Sequence, residues 1–180
     1  MNICIYCGSS PGLSESIQSE AKNFGAMLAS NGHQLIYGGS SLGIMGILAD
    51  SVMENGGRVI GVIPRDLFKK EVAHQGITEL ITVNDMHERK SKMASLANAF
   101  IAFPGGFGTL EELFEIITWN QIGIFSKPVT VYNVDGFYDP LIKMIDHAYK
   151  TGFIREENRN ILRVAETLEQ CLWFSEQKTG

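Results

Sequence analysis

The sequence predicts an α/β fold, a Rossmann-like doubly wound parallel sheet with helices on both faces, built as one domain over residues 1–180. Three observations carry that prediction. Short apolar, β-rich runs alternate with longer helical patterns along the whole chain, glycine-rich turns follow three of the runs, and no repeat or long linker breaks the series.

The first run, residues 3–6, is apolar throughout and passes through Cys7-Gly8-Ser9-Ser10 into a helical stretch over 14–30. A second run at 34–37 leads through Gly38-Gly39-Ser40-Ser41-Leu42-Gly43 into a helix near 43–55. Strands are predicted at 58–62 and 79–83, followed by a helix over 86–97. The run 99–103 passes through Pro104-Gly105-Gly106-Phe107-Gly108-Thr109 into a helix over 109–122. A strand at 129–132, a helix over 138–150, a weaker strand at 161–164 and a helix over 166–176 complete the chain. In sheets of this kind ligands collect at the carboxyl ends of the strands, near the point where the winding reverses.

Composition narrows the function classes. The chain is 44% apolar and 19% charged with a net charge of -5, the balance of a globular enzyme and too acidic for a nucleic-acid clamp. Its apolar stretches are strand-sized and its amino terminus has no targeting pattern, so neither membrane nor secretory pathway is predicted. Three irregularly spaced cysteines, Cys4, Cys7 and Cys171, fit a reducing compartment, and the cytoplasm is the expected location. Cys4 and Cys7 form a C-x-x-C pair, but Cys4 falls inside a strand pattern and no second ligand pair follows. The histidines, His33, His74, His87 and His147, lack metal-ligand spacing, so no metal is implied. Met27, Met45 and Met53, at helical spacing, read as core filler.

Each of the three small-residue turns can bring backbone N–H groups to an anion at the positive end of the next helix, which makes a phosphate site. Ser9, Gly39, Ser40 and Gly105 belong to that set. None of the turns is the dinucleotide fingerprint or the NTPase P-loop, which argues against a nicotinamide cofactor and against ATP hydrolysis.

Thr109-Leu110-Glu111-Glu112 has two readings. As a capping box, Thr109 would cap the helix and Glu112 would answer it. By helical angle, however, Glu112 falls between Ile116 and Trp119 while Glu111, Glu115 and Thr118 gather on the polar side. That puts a carboxylate among apolar neighbours beside the phosphate turn, a costly place unless function requires it. In Met86-His87-Glu88-Arg89-Lys90, similarly, Arg89 and Lys90 flank the apolar stripe of Met86, Met93 and Ala97, opposite His87, Glu88, Ser91 and Ser95. Two cations leaning inward must meet an anion, from the protein or from a ligand, or lay their stems along the core with their heads in solvent.

These residues resemble the LOG family of cytokinin riboside 5′-monophosphate phosphoribohydrolases. Pro104 to Glu112 reproduces P-G-G-x-G-T-x-x-E and Met86 to Lys90 reproduces M-x-x-R-K, with Arg89 and Glu112 separated by 23 positions. The likeness extends to Gly39-Ser40, Thr118-Trp119 and Asn133-Val134-Asp135-Gly136. It implies hydrolysis of the N-glycosidic bond of an adenosine 5′-monophosphate bearing an N6 substituent, with no cofactor. Arg89 and Glu112 match the family's catalytic pair; Gly106, Phe107, Gly108, Thr109, Leu110 and Glu111, with Lys90, Thr118 and Glu71, match its nucleotide-binding positions. Met86, from the second motif, joins the expected binding set.

Two rivals are weighed. Lysine decarboxylation would need pyridoxal phosphate on a Schiff-base lysine, and Lys90 has no evident partner for the pyridine nitrogen. A nucleotide-binding or carrier protein on the same fold, similar to molybdenum-cofactor carriers, would hold its ligand without cleaving it. The Arg89 and Glu112 pair separates the two, since a carrier has little reason to set a carboxylate near an anion. Trp119, Ile122 and Ile124 extend the apolar surface of the same helix, which predicts a homodimer.

Overall fold

The computed structural model describes residues 1–68 and 72–177. Among them, strands β1 (Asn2–Tyr6), β2 (Gln34–Tyr37), β3 (Arg58–Pro64), β4 (Glu79–Val83), β5 (Ala99–Ala102), β6 (Val129–Tyr132) and β7 (Leu162–Ala165) form one sheet in the order β4-β3-β2-β1-β5-β6-β7. Every pairing is parallel. The order runs outward from the β1/β5 pair in both directions, so this pair is the switch point.

Parallel strands need covered faces, and the helices α1 (Glu15–Ser30), α2 (Gly43–Glu54), α3 (Arg65–Phe68), α4 (Met86–Leu96), α5 (Phe107–Gln121), α6 (Asp139–Lys150) and α7 (Leu168–Glu176) cover them. Ile3, Ile5 and Cys7 point toward α1, α2 and α7 and share one core with Phe24, Leu48 and Leu172. Cys4 and Tyr6 point the other way, into a core with Met93 of α4, Leu113 of α5 and Tyr138 before α6. This strand alternation puts the two cysteines of the C-x-x-C pair on opposite faces of the sheet, and both thiols are free and buried.

The predicted elements are present, with shifted ends. β3 continues to Pro64 because β4 pairs along it as far as Pro64 and Val83. The short α3 follows directly and has no periodicity long enough to signal it. α5 starts at Phe107 rather than 109, with Gly106 as its extended N-cap, so the capping-box reading does not hold. Thr109 instead sits inside the first turn and is buried.

Candidate active site

The turns after β1, β2 and β5 meet at the switch point, backbone against backbone. Gly8 N–H donates to the carbonyl of Pro104 at 3.2 Å, and a Cβ on Gly43 would lie 2.4 Å from the carbonyl carbon of Ser9. Above them opens a cleft of about 480 Å³. α2 and α5 aim their N-termini at it, and neither has a side-chain cap, whereas Ser14, Asp85 and Thr167 cap α1, α4 and α7. The N-termini of α2 and α5 therefore carry partial positive charge into the cleft without a side-chain cap, although the first-turn Met45 N–H of α2 donates to the Gly8 carbonyl at 3.4 Å.

Beneath the cleft, α4 and α5 exchange charges. Arg89 Nη1 donates to Glu112 Oε1 at 2.8 Å, and Arg89 Nε donates to the carbonyl of Val62 on β3 at 3.0 Å. Both side chains are buried, in keeping with the helical-angle reading of Glu112. Burial pushes the Glu112 carboxyl above the ordinary carboxylate range, and the Arg89 guanidinium pulls it part of the way back. Lys90 meets a different pair. Its Nζ donates to Glu111 Oε1 at 2.5 Å and to Glu115 Oε1 at 3.0 Å. Burial works against that ammonium, but the two carboxylates outweigh it and its pKa is raised. Both inward-leaning cations thus answer to protein carboxylates.

The apolar part of the lining includes Leu42, Met45, Ile63, Leu67, Val72 and Met93. Val72 belongs to a strap laid along the second turn. Ser41 N–H donates to the Val72 carbonyl at 2.8 Å and His74 N–H to the Gly39 carbonyl at 2.9 Å. His74 ties the strap to α2: its Nδ1 accepts from Gly76 N–H at 3.1 Å, which leaves Nε2 to donate to Asp50 at 2.9 Å. Gly39, with φ of 77°, makes the bend that this ladder needs.

Of the predicted site residues, Ser9, Ser40, Met86, Arg89, Gly106, Phe107, Gly108, Thr109, Glu111 and Glu112 line the cleft. Gly105 stands just behind, where a Cβ would lie 2.1 Å from Thr109 Oγ1, and Gly39 contributes its carbonyl to the strap. Leu110 and Lys90 are not among the lining residues: Leu110 packs against the core, and Lys90 reaches Glu111, which does line the cleft. Thr118 is farther down α5, about 16 Å along the axis from Phe107, and donates to the Phe114 carbonyl of its own helix. Glu71 lies outside the described residues. Sequence reasoning missed the apolar wall: Met45, read as core filler, reaches both core and cleft. A larger cavity, about 700 Å³, opens at the ends of β6 and β7, but its charged lining is Glu20, Asp135, Glu166 and Glu169, which would repel a phosphate. Among the described residues no group of three or more His, Cys, Asp or Glu side chains is placed to hold a metal ion.

The family model described as "Possible lysine decarboxylase" matches residues 45–173. The cytokinin riboside 5′-monophosphate phosphoribohydrolase LOG of Oryza sativa subsp. japonica is 50% identical over 94% of this chain and 70% of that protein. The Arabidopsis thaliana enzyme of that name numbered LOG3 is 46% identical over 94% of this chain and 79% of its own. The chain belongs to the LOG family.

Among solved structures, the LOG-family chain superimposes on the Moco carrier protein of Chlamydomonas reinhardtii with a TM-score of 0.70 at 20% identity, covering 96% of this chain and 93% of that one. The molybdenum cofactor binding protein of Rippkaea orientalis gives a TM-score of 0.70 at 20% identity, with 96% and 91% covered. Identity this low speaks for the shared fold alone. The decarboxylase label of the family model has no support in the geometry at Lys90, whose amine is held by two carboxylates.

Proposed function

We propose that this LOG-family chain hydrolyses the N-glycosidic bond of an N6-substituted adenosine 5′-monophosphate, releasing the free base and ribose 5-phosphate. The buried Arg89–Glu112 pair beside two uncapped helix N-termini supports this reading more than any other feature. The 5′-phosphate would take the amides of Gly106, Phe107 and Gly108 at the start of α5 and the turn at Ser9 and Ser40. Glu112, five residues further on and about 7.5 Å along the helix, would then stand at the sugar.

Departure of the base builds positive charge on the ribose ring, and a carboxylate held in a low-dielectric site stabilises it and can orient or deprotonate the attacking water. Arg89 keeps Glu112 ionised and aimed, and binding energy at the phosphate holds C1′ in place. The apolar wall of Leu42, Met45, Leu67 and Val72 suits a purine with a greasy N6 group. Purified protein incubated with AMP and isopentenyl-AMP, with free base followed by chromatography, tests the reading. Base release abolished by Glu112→Gln would support it; tight binding without turnover would favour a carrier.

Assembly as a homodimer belongs to the same proposal. Ile122 is 62% and Ile124 56% exposed at the end of α5, and Met144 of α6 is 62% exposed, whereas Trp119, expected to extend the same surface, packs with Leu141 and Ile142 against the core of its own chain. An apolar surface of this kind suits a second copy. Thr118, remote from the cleft of its own chain, would meet nucleotide only across such an interface. Three free cysteines suit a reducing cytoplasm, and no described helix is long and apolar enough to cross a membrane.

A further inference from the structure

We propose that Gly38 is a positioning residue that seats the Arg89 guanidinium, an inference that rests on the hydrolase reading above. A Cβ built on Gly38 would lie 1.9 Å from Arg89 Nη2 and 3.1 Å from its Cζ. The backbone gives no other reason for glycine here. Gly39, its neighbour, has a left-handed φ, but Gly38 is not among the positive-φ residues, so no left-handed backbone calls for glycine there. What alanine could not do is share the space.

A clash with the tip of a flexible side chain is ordinarily relieved by a small swing of that side chain. Arg89 is not free to swing, because it is 8% exposed and its other two nitrogens are committed, Nε to the Val62 carbonyl at 3.0 Å and Nη1 to Glu112 at 2.8 Å. Restoring normal contact requires a displacement of about 1.5 Å, enough to break one or both of those bonds. On the far side Met45 Sδ, 3.0 Å from the added Cβ, narrows the escape. Glu112 would stay buried but lose its guide. Gly38 thus acts on the reaction without touching substrate: the end of β2 is left bare so that a cation from α4 can pass over it to a carboxylate on α5.

A double-mutant cycle tests this in Gly38→Ala, Arg89→Ala and the combined variant, each measured for base release from isopentenyl-AMP and for thermal unfolding. Gly38→Ala should lower kcat by about 100-fold, the scale of a 1 Å misplacement of a catalytic group, with KM changed by less than about threefold. The combined variant should be no slower than Arg89→Ala by more than about threefold. Unfolding gives a readout independent of activity. Gly38→Ala should lower Tm by roughly 2–12 °C when Arg89 is present, as overpacking does, and by less than about 2 °C when Arg89 is alanine. Wild-type turnover in Gly38→Ala, or Tm losses that simply add, would overturn the proposal. Should the wild type release no base at all, the hydrolase reading falls, and the Tm cycle alone decides whether Gly38 seats Arg89.

Discussion

Arg89 and Glu112 meet at 2.8 Å between Nη1 and Oε1 from the helices that precede and follow the switch-point strand β5 and share one face of the sheet, with side chains 9% and 10% exposed. A buried ion pair of this kind adds little net stability, because desolvation offsets its attraction. Its value lies in orientation, and each partner can be removed to see what the other does alone.

Arg89→Ala should lower kcat/KM for isopentenyl-AMP by two decades or more, on the order of the effect of one positioned charged group. Arg89→Lys should recover little, since an ammonium cannot serve the Val62 carbonyl and Glu112 together in the fork geometry. Steady-state kinetics decide the point, and a lysine variant with more than about a third of wild-type activity contradicts the two-handed role.

The acid limb of the pH–rate profile should fall above the usual carboxylate range, because burial raises Glu112 and the proposed reaction uses its ionised form. Loss of Arg89 removes the cation that holds it down, so the limb of the residual activity moves to still higher pH. Stability has the opposite sign. A carboxyl raised in the folded state favours folding at acid pH, and that contribution is lost as pH climbs from the unfolded value through the folded one. Urea unfolding of wild type and Glu112→Gln across that window should show the wild type losing ground as pH rises.

Lys90→Met is expected to act on stability rather than turnover. Its partners are unequal, Glu111 54% and Glu115 25% exposed, so solvent screens much of the attraction and the cost should be about 0.5–2 kcal/mol. Calorimetry measures the loss. A fall in kcat/KM beyond about tenfold would mean that Lys90 leaves its carboxylates to meet nucleotide, as the family resemblance implies.

Asp50→Asn tests the strap. Weakening its bond to His74 should speed amide exchange over residues 72–76 and raise KM by about three- to tenfold while kcat changes little, because Val72 shapes the wall and not the reacting centre. Unchanged exchange would show that the ladder at Gly39 and Ser41 holds the strap unaided.

Much of the fold was legible because parallel strands buried on both faces leave continuous apolar runs, and the helical stretches between them have a period of their own. The inward tilt of Arg89 and Glu112 was legible for the same reason: helical angle places a charge on an apolar face whatever the partner. The partner was not. Nothing in local spacing tells that Arg89 chooses Glu112 while its neighbour Lys90 takes Glu111 and Glu115, since that depends on the crossing of α4 and α5. The apolar wall stayed hidden because Met45 and Ile63 look the same whether they face a core or a ligand. Gly38, read as one of several turn glycines, shows its purpose only when the atom above it is known to belong to Arg89.

The sheet has a working rim and an idle one. All of the chemistry just described gathers where β1, β2 and β5 end, while the bends that close α1, α2 and α6, at Asn31, Asn55 and Thr151, turn back at the other rim and supply nothing to the cleft. A fluorophore, a grafted peptide loop or a surface anchor placed at the Asn31 or Asn55 bend would stand clear of the cleft, which makes these two the natural attachment points for immobilising or tracking this protein.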